Sequence, residues 1–596
     1  MEYLPIEAYG MIGDLRTVAL IGMNGSIDFM CFPHFDSPSI FAALLDDKKG
    51  GRFQLAPLFE KPHIKQFYLP DTNILLTRFL SIGAVAEISD FMDIEEDDSP
   101  GILVRRIKMV RGQARFHVHC EPRFDYGRQE HSIEQKEGEV LFIPKGETLP
   151  TLRLRTKAPL KRSNGAAIGE ISLRAGETMA FVLEEASDSA SANPEYTTHA
   201  FKKTMNYWRN WTNRSNYRGR WRETVNRSAL TLKMLTSRKH GSIVAAPTFG
   251  LPEAIGGERN WDYRYTWIRD SSFTIDALLS LGYTEEATAF MNWIEARCCE
   301  LNPDGSLQVM YRLDGGHDLS ESILPHLEGY RGSSPVRIGN EAYKQLQLDI
   351  YGELMEAVYL YNKHAETISM DLWSHLTMLV NWVEKNWERE GEGIWEVRGG
   401  GQAFLYSRLM CWVALDRAIH IAFESSLPGP IDRWMKTRDT IYKNILQDYW
   451  NLEQQAFVQT QKGRSLDAAS LMMPLAKFLG PKDPRWLSTL KAIKNTLLDD
   501  SLMHRYNVSD AASDGLKGGE GTFNMCSFWF IECLSRAGDL QQARLIFEKM
   551  LTYANHLGLY SEELSASGEH LGNFPQAFTH LGLISAADDL NQRLGQ

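Results

Sequence analysis

Along the first third of the chain, apolar residues come in short runs or alternate with polar ones. Residues 17–21, 26–31, 73–80, 102–110, 115–120, 139–143 and 178–183 have the length and period of strands. Asn24 and Gly25, between the first two runs, are the two-residue signal of a tight hairpin. Short strands with turn residues and no helices between them predict an antiparallel sandwich. The acidic run 95–98 ahead of Ser99 and Pro100 reads as a solvated turn in preference to a metal site.

From about Tyr196 a helical period takes over. Leu405, Leu409, Trp412, Leu415 and Ile419 recur at spacings of four and three, as do Leu348, Tyr351, Leu354 and Val358. Gly480 stops one helix, with Asp483 and Pro484 as cap and first residue of the next. Gly538, Asp539 and Gln542 repeat that logic with capping-box spacing, and Gly282 with Thr284 predicts it again. About twelve helices are expected, starting near residues 220, 267, 284, 347, 369, 405, 430, 467, 484, 523, 539 and 575; Pro474 should kink or shorten the eighth. Such a series closes into a barrel of six hairpins or stacks as a solenoid. The lack of a fixed repeat disfavours the solenoid. In a closed barrel the long connections would gather at one end around a pocket.

A chain of 596 residues requires more than one domain. The net charge of −12 argues against nucleic-acid and anionic-membrane partners. Seven cysteines, odd in number, irregularly spaced and mostly in apolar runs, suit reduced thiols. With no basic-then-apolar N-terminus and no membrane-spanning run, the expected location is the cytoplasm. No metal-binding spacing is present. The glycines around 518–521 lack the lysine and preceding strand of a phosphate loop, so neither metal nor cofactor is expected.

Three segments between helices are rich in Gly, Trp and carboxylates: 256–270, 393–400 and 559–576. In the second, Glu396 follows Trp395, and desolvation by Ile394, Trp395 and Val397 would raise its pKa into the range of a proton donor. A guanidinium from Arg398 would oppose that shift, and a surface Glu396–Arg398 pair is the competing reading. Arg269 beside Asp270 suits two neighbouring hydroxyls, or forms an ordinary ion pair. Trp261, Trp267 and Trp395 are stacking platforms for a ligand ring, which the resemblance below makes a sugar, or core residues.

These segments, together with 6–14, 25–31, 339–349, 519–523 and 572–577, resemble glycoside hydrolase family 15 in order along nearly the whole chain. That family holds glucoamylases, glucodextranases, isomaltose glucohydrolases and some bacterial and archaeal trehalases. The resemblance implies an N-terminal antiparallel β-supersandwich (1–194), a helical linker (195–219) and a C-terminal six-hairpin (α/α)6 barrel (220–596). It makes Glu396 the general acid and Glu562 the general base, with adjacent Glu563 the competitor for that role. Arg269 and Asp270 would bind the terminal glucose, and Arg505 would be a second sugar-binding arginine.

The implied reaction is exo-acting, inverting hydrolysis of a small soluble α-glucoside such as trehalose, a maltooligosaccharide or an isomaltooligosaccharide. Inversion needs room for a water between carboxyls about 6.5–9.5 Å apart. The rivals are a disaccharide phosphorylase of similar architecture and a non-catalytic glucan-binding protein. Linkage preference and oligomeric state are not encoded in these motifs.

Overall fold

The hairpin at Asn24 and Gly25 joins strands Val18–Gly22 and Ser26–Cys31, with Gly25 at φ 78°, where a side chain would be strained. In the computed structural model, which describes residues 3–94, 101–146, 149–186, 194–507 and 514–595, these strands belong to one of two eight-stranded antiparallel sheets. The first runs Tyr9–Gly13, Val18–Gly22, Ser26–Cys31, Arg52–Pro57, Gln113–Glu121, Ala166–Arg174 and Lys161–Ser163, with Ser39–Phe41 added on the third. The second runs His131–Lys136, Glu139–Pro144, Leu152–Thr156, Thr178–Glu185, Ile102–Arg111, Val85–Asp93, Leu75–Leu80 and His63–Tyr68. The acidic run 95–98 lies outside the described residues.

All seven runs read from periodicity are strands. Others escaped because burial does not alternate cleanly along them. His131–Lys136 is an edge strand with mostly exposed side chains. Val85–Asp93 carries a buried Asp90 that pairs with buried Arg105 at 2.7 Å. Arg105 also donates to the backbone carbonyls of Phe53 and Gly25 in the facing sheet, so a satisfied charge bolts the two sheets together.

The helices are α1 Pro194–Thr212, α2 Arg222–Met234, α3 Ser271–Ser280, α4 Thr284–Cys298, α5 Ile350–His364, α6 Met370–Asn386 and α7 Leu405–Glu424. They continue as α8 Ile431–Asp448, α9 Met472–Leu475, α10 Pro484–Leu497, α11 Asn524–Ala537, α12 Leu540–Leu551 and α13 Ala577–Leu594. Helix α1 lies on the second sheet, where Ala200 packs with Phe91, Val104 and Val182. The other twelve begin within a few residues of the positions expected. Pro474 sits in the shortest of them, α9, which continues the 3-10 turn Ala468–Leu471.

Asp483 caps α10, accepting from Arg485 and Trp486 N–H, with Pro484 as its first residue. Gly538 ends α11 at φ 99°, and Asp539 caps α12. The expectation for Thr284 needs correcting. It is the first residue inside α4, the cap is Tyr283, and no side chain caps that end.

Helices α3, α5, α7, the Ala468–Leu475 segment, α11 and α13 pack in sequence, and α13 returns to α3. This closes the inner ring of a barrel. The three segments rich in Gly, Trp and carboxylates all precede inner helices, so the N-terminal ends of those helices face the same mouth. Their dipoles favour negative charge there.

The barrel axis is not uniformly apolar. Asp349, Glu353 and Glu356 fall at i, i+4 and i+7 and line one face of α5. A cavity of about 170 Å³ further along the axis is lined from all six inner segments, including Ser272, Asp276, Glu353 and Glu532. Ser272 and Tyr406 hydroxyls donate to Glu353. Asp349 is fully buried, and among the described residues no side chain donates a hydrogen bond to either of its carboxyl oxygens. Burial pushes its pKa up to about 7 against the pull of Arg269.

A carboxyl raised from about 3.9 when unfolded keeps its proton longer in the native state. Stability therefore falls as pH rises from about 4 to 7. Asp349→Asn should gain stability relative to the parent across that window, by a few kcal/mol at most. Chemical denaturation at pH 5 and pH 8 checks this, and a difference independent of pH would refute it.

Candidate active site

Glu396 sits on a tight turn rather than a regular element. Its N–H donates to Gly393 O at 3.1 Å, and the residue itself has φ 54°. A non-glycine residue there carries on the order of 1–3 kcal/mol of strain, sustained by surrounding structure. That structure is visible. Trp267 Nε1 and Arg269 Nη1 both donate to Glu396 Oε1, at 2.6 and 3.1 Å. Arg269 Nη1 also reaches Ile394 O at 3.2 Å. Both side-chain donors engage Oε1, which leaves Oε2 on the carboxyl for chemistry.

Glu562 is positioned by a three-stranded sheet of Thr522–Phe523, Glu563–Leu564 and His570–Leu571. Its carbonyl accepts from Asn524 N–H, and its N–H donates to Asn573 O. Tyr263 OH donates to Glu562 Oε1 at 2.6 Å. Gly572, at φ 70°, passes so close that a Cβ there would lie 2.5 Å from Glu562 Oε2, so only glycine fits. Burial, then the negative charge of Glu253, push the Glu562 pKa up to about 8, while Tyr263 and Arg505 pull it down.

Neighbouring extended residues point to opposite sides, which separates Glu563 from Glu562. Glu562 lines the cavity that also holds Glu396. Glu563 is fully buried, accepts from Gly521 N–H at 2.7 Å, and is not among the lining residues. With Glu253 and Glu520 it forms a carboxylate trio compact enough to suggest a metal. Arg505 supplies the countercharge there, its Nη2 lying 2.6 Å from Glu520, 3.4 Å from Glu253 and 3.6 Å from Glu563.

Of the residues singled out from sequence, Trp261, Arg269, Trp395, Glu396, Arg505 and Glu562 line this single cavity. Asp270 lies behind it, accepting from Arg269 Nε at 2.8 Å. Trp267 is buried beneath Glu396 and does not line the cavity. The three tryptophans share a use that stacking arguments overlook, since each indole N–H orients a carboxylate. Trp261 donates to Glu253, Trp267 to Glu396 and Trp395 to Asp467. Guanidiniums of Arg398 and Arg505 lie over Trp261 and Trp395.

Arg398 itself pairs with Glu321 at 2.8 Å, and Arg269 is the cation on Glu396. The surface Glu396–Arg398 pair is therefore not formed. Sequence reasoning missed Tyr263, Glu253, Arg259, Glu520 and Asp514. Tyr263 and Arg259 stood inside the 256–270 segment, but nothing local shows that they will touch residues 299 and 255 positions later.

Residues 219–588 match the Glycosyl hydrolases family 15 and residues 2–154 the Trehalase-like, N-terminal family. A trehalase of Thermoplasma volcanium is 36% identical over 99% of this chain and 94% of its own length. A trehalase of Mycobacterium tuberculosis is 38% identical over 98% of this chain and 89% of its own. A bacterial glucoamylase solved with acarbose superposes with a TM-score of 0.75 at 14% identity, covering 99% of this chain and 94% of its own, and so shares the fold. A closed helical barrel with Glu396 and Glu562 on one cavity, and matches that span the chain, give one answer: the protein is a glycoside hydrolase and belongs to glycosyl hydrolase family 15.

Proposed function

We propose that the protein hydrolyses trehalose by a single displacement at the anomeric carbon, with Glu396 as general acid and Glu562 as general base. The observation that carries the reading is that Glu396 and Glu562, two of the four carboxylates lining one cavity, are each held by their own donors. Glu396 gives its proton to the departing glycosidic oxygen. Glu562 takes a proton from a water that attacks the opposite face of the ring, so the C1–O bond breaks as the new one forms. Arg269, fixed by Asp270 and Glu396, presents donors to hydroxyls of the glucose whose anomeric carbon is attacked, and the symmetry of trehalose lets either ring take that place. The choice of trehalose over other α-glucosides rests on relatives named trehalase that align over nearly the full chain.

The two halves of trehalose make the stereochemistry readable. Inversion turns the attacked glucose into the β-anomer, while the leaving glucose keeps its α-configuration. Proton NMR within the first minutes should show α- and β-glucose in equal amounts. Two α-anomers would mean retention, and glucose 1-phosphate formed from inorganic phosphate would mean a phosphorylase; either outcome overturns the mechanism. Maltose and isomaltose under the same conditions should turn over more slowly than trehalose.

A further inference from the structure

Asp514 is a loop residue where three distant segments meet. Its Oδ2 accepts from Arg259 Nη2 at 2.6 Å and from Tyr506 OH at 3.2 Å. Its Oδ1 accepts from Leu516 N–H at 2.9 Å, and its carbonyl accepts from Arg398 N–H at 2.6 Å. Arg259 precedes α3, Arg398 stands two residues after Glu396, and Tyr506 leads toward α11. Loop residues over a pocket are ordinarily among the most mobile parts of a fold. This one is buried to 8% exposure and held by four hydrogen bonds, three of them charge-assisted because its carboxylate accepts them. Next to it Gly515, at φ 77°, lies so close that a Cβ would sit 2.5 Å from the Arg398 carbonyl carbon.

The pinned segment forms part of the active-site wall. Asp514 and Leu516 line the cavity with Glu396 and Glu562. Arg269 meets the turn that carries the acid at Ile394 and Glu396, whereas Asp514 meets it at Arg398. The two contacts therefore bracket Glu396 along the chain, with Arg269 meeting the turn up to the acid and the pinned loop meeting it two residues beyond. Arg259 is anchored in turn by Glu520 at 3.1 Å and Glu253 at 3.7 Å, so the wall is continuous with the charged network beside Glu562.

The geometry points to Asp514 as the residue that limits substrate length: by fixing residues 514–516 across the leaving-group side, it admits one sugar beyond the bond being cleaved. This rests on the trehalose-hydrolysing reading above and adds to it a size determinant. Rigidity is the physical requirement, because a loop free to swing aside could accommodate a longer leaving group at little cost.

The test compares trehalose with the trisaccharide that carries one further α-1,4-glucose on one ring. The same 1,1-bond is cleaved in both, with glucose or maltose departing. In Asp514→Ala the kcat/KM for the trisaccharide relative to trehalose should rise at least tenfold, mainly through a lower KM. Tyr506→Phe, which removes one of the four bonds, should move the ratio the same way by a smaller factor, and it guards against poor folding of the alanine variant. General damage would lower both substrates together and leave the ratio unchanged, and an unchanged ratio in active variants overturns the proposal alone. A parent protein that does not hydrolyse trehalose overturns the reading beneath it.

Discussion

Glu396→Gln should lower kcat on trehalose by about 10²–10⁴-fold yet lose far less on α-glucosyl fluoride, whose leaving group departs without protonation. Glu562→Gln should fail on both substrates, because activation of water is needed whatever leaves. This contrast separates acid from base, which a simple loss of activity cannot do. Both amide variants are near-isosteric. Glutamine at 562 can still accept from Tyr263, so folding should be preserved.

The pH profile supplies the companion measurement. A general base works deprotonated, and burial with the charge of Glu253 holds Glu562 up to about 8. The acid limb of kcat/KM, which reports the free enzyme, should therefore rise through neutral pH as Glu562 ionises. Glu253→Gln removes a negative charge that disfavours ionisation, so that limb should move to lower pH. A profile unmoved by Glu253→Gln, or full turnover of the fluoride by Glu562→Gln with loss in Glu563→Gln, would mean the base is misassigned.

The fold was largely legible because its signals are local. A strand's alternation, an Asp–Pro cap or a glycine stop needs only a few neighbouring residues, and strands 26–31 and helices α10 and α12 appear where those signals put them. Where a signal was local but ambiguous, as at Thr284, the cap fell one residue away. Edge strand His131–Lys136 had nothing to show, since neither face of it is buried.

The site was legible in a different way. Its segments announced themselves by composition, and their family resemblance assigned roles, but partners did not follow. Arg398 is the charged neighbour of Glu396 in sequence; Arg269, 127 positions earlier, is its partner in space. Likewise the indoles were read for their faces, while their N–H groups determine which way Glu253, Glu396 and Asp467 point. Hydrogen-bond pairing across loops depends on how the barrel closes, and no window of sequence contains that closure.

Arg264→Met should destabilise the protein by about 3–5 kcal/mol, the cost of leaving a buried charge without its partner, and should impair catalysis as well. Arg264 is fully buried, with Nε and Nη2 on the two oxygens of Asp262 at 2.9 and 2.6 Å. Its other side-chain hydrogen bonds cross to the β-sandwich: Ser37 O at 2.8 Å, Cys31 Sγ at 3.4 Å and Tyr126 OH at 3.2 Å. Tyr263, the donor to Glu562, stands between Asp262 and Arg264 in the chain. The sandwich therefore helps to fix the backbone that aims Tyr263 at Glu562, the proposed base, and a displacement of about 1 Å there is enough to cost about 10²-fold in rate. Lysine cannot supply the two-pronged contact, so Arg264→Lys should fall close to Arg264→Met. Pairing Arg264→Met with Asp262→Asn removes both charges and should recover part of the stability, because the penalty lies in the orphaned carboxylate. Urea unfolding and kcat/KM measured on the same preparations check both halves. An Arg264→Lys variant with parental stability and rate would show that the β-domain contacts do not support the catalytic segment.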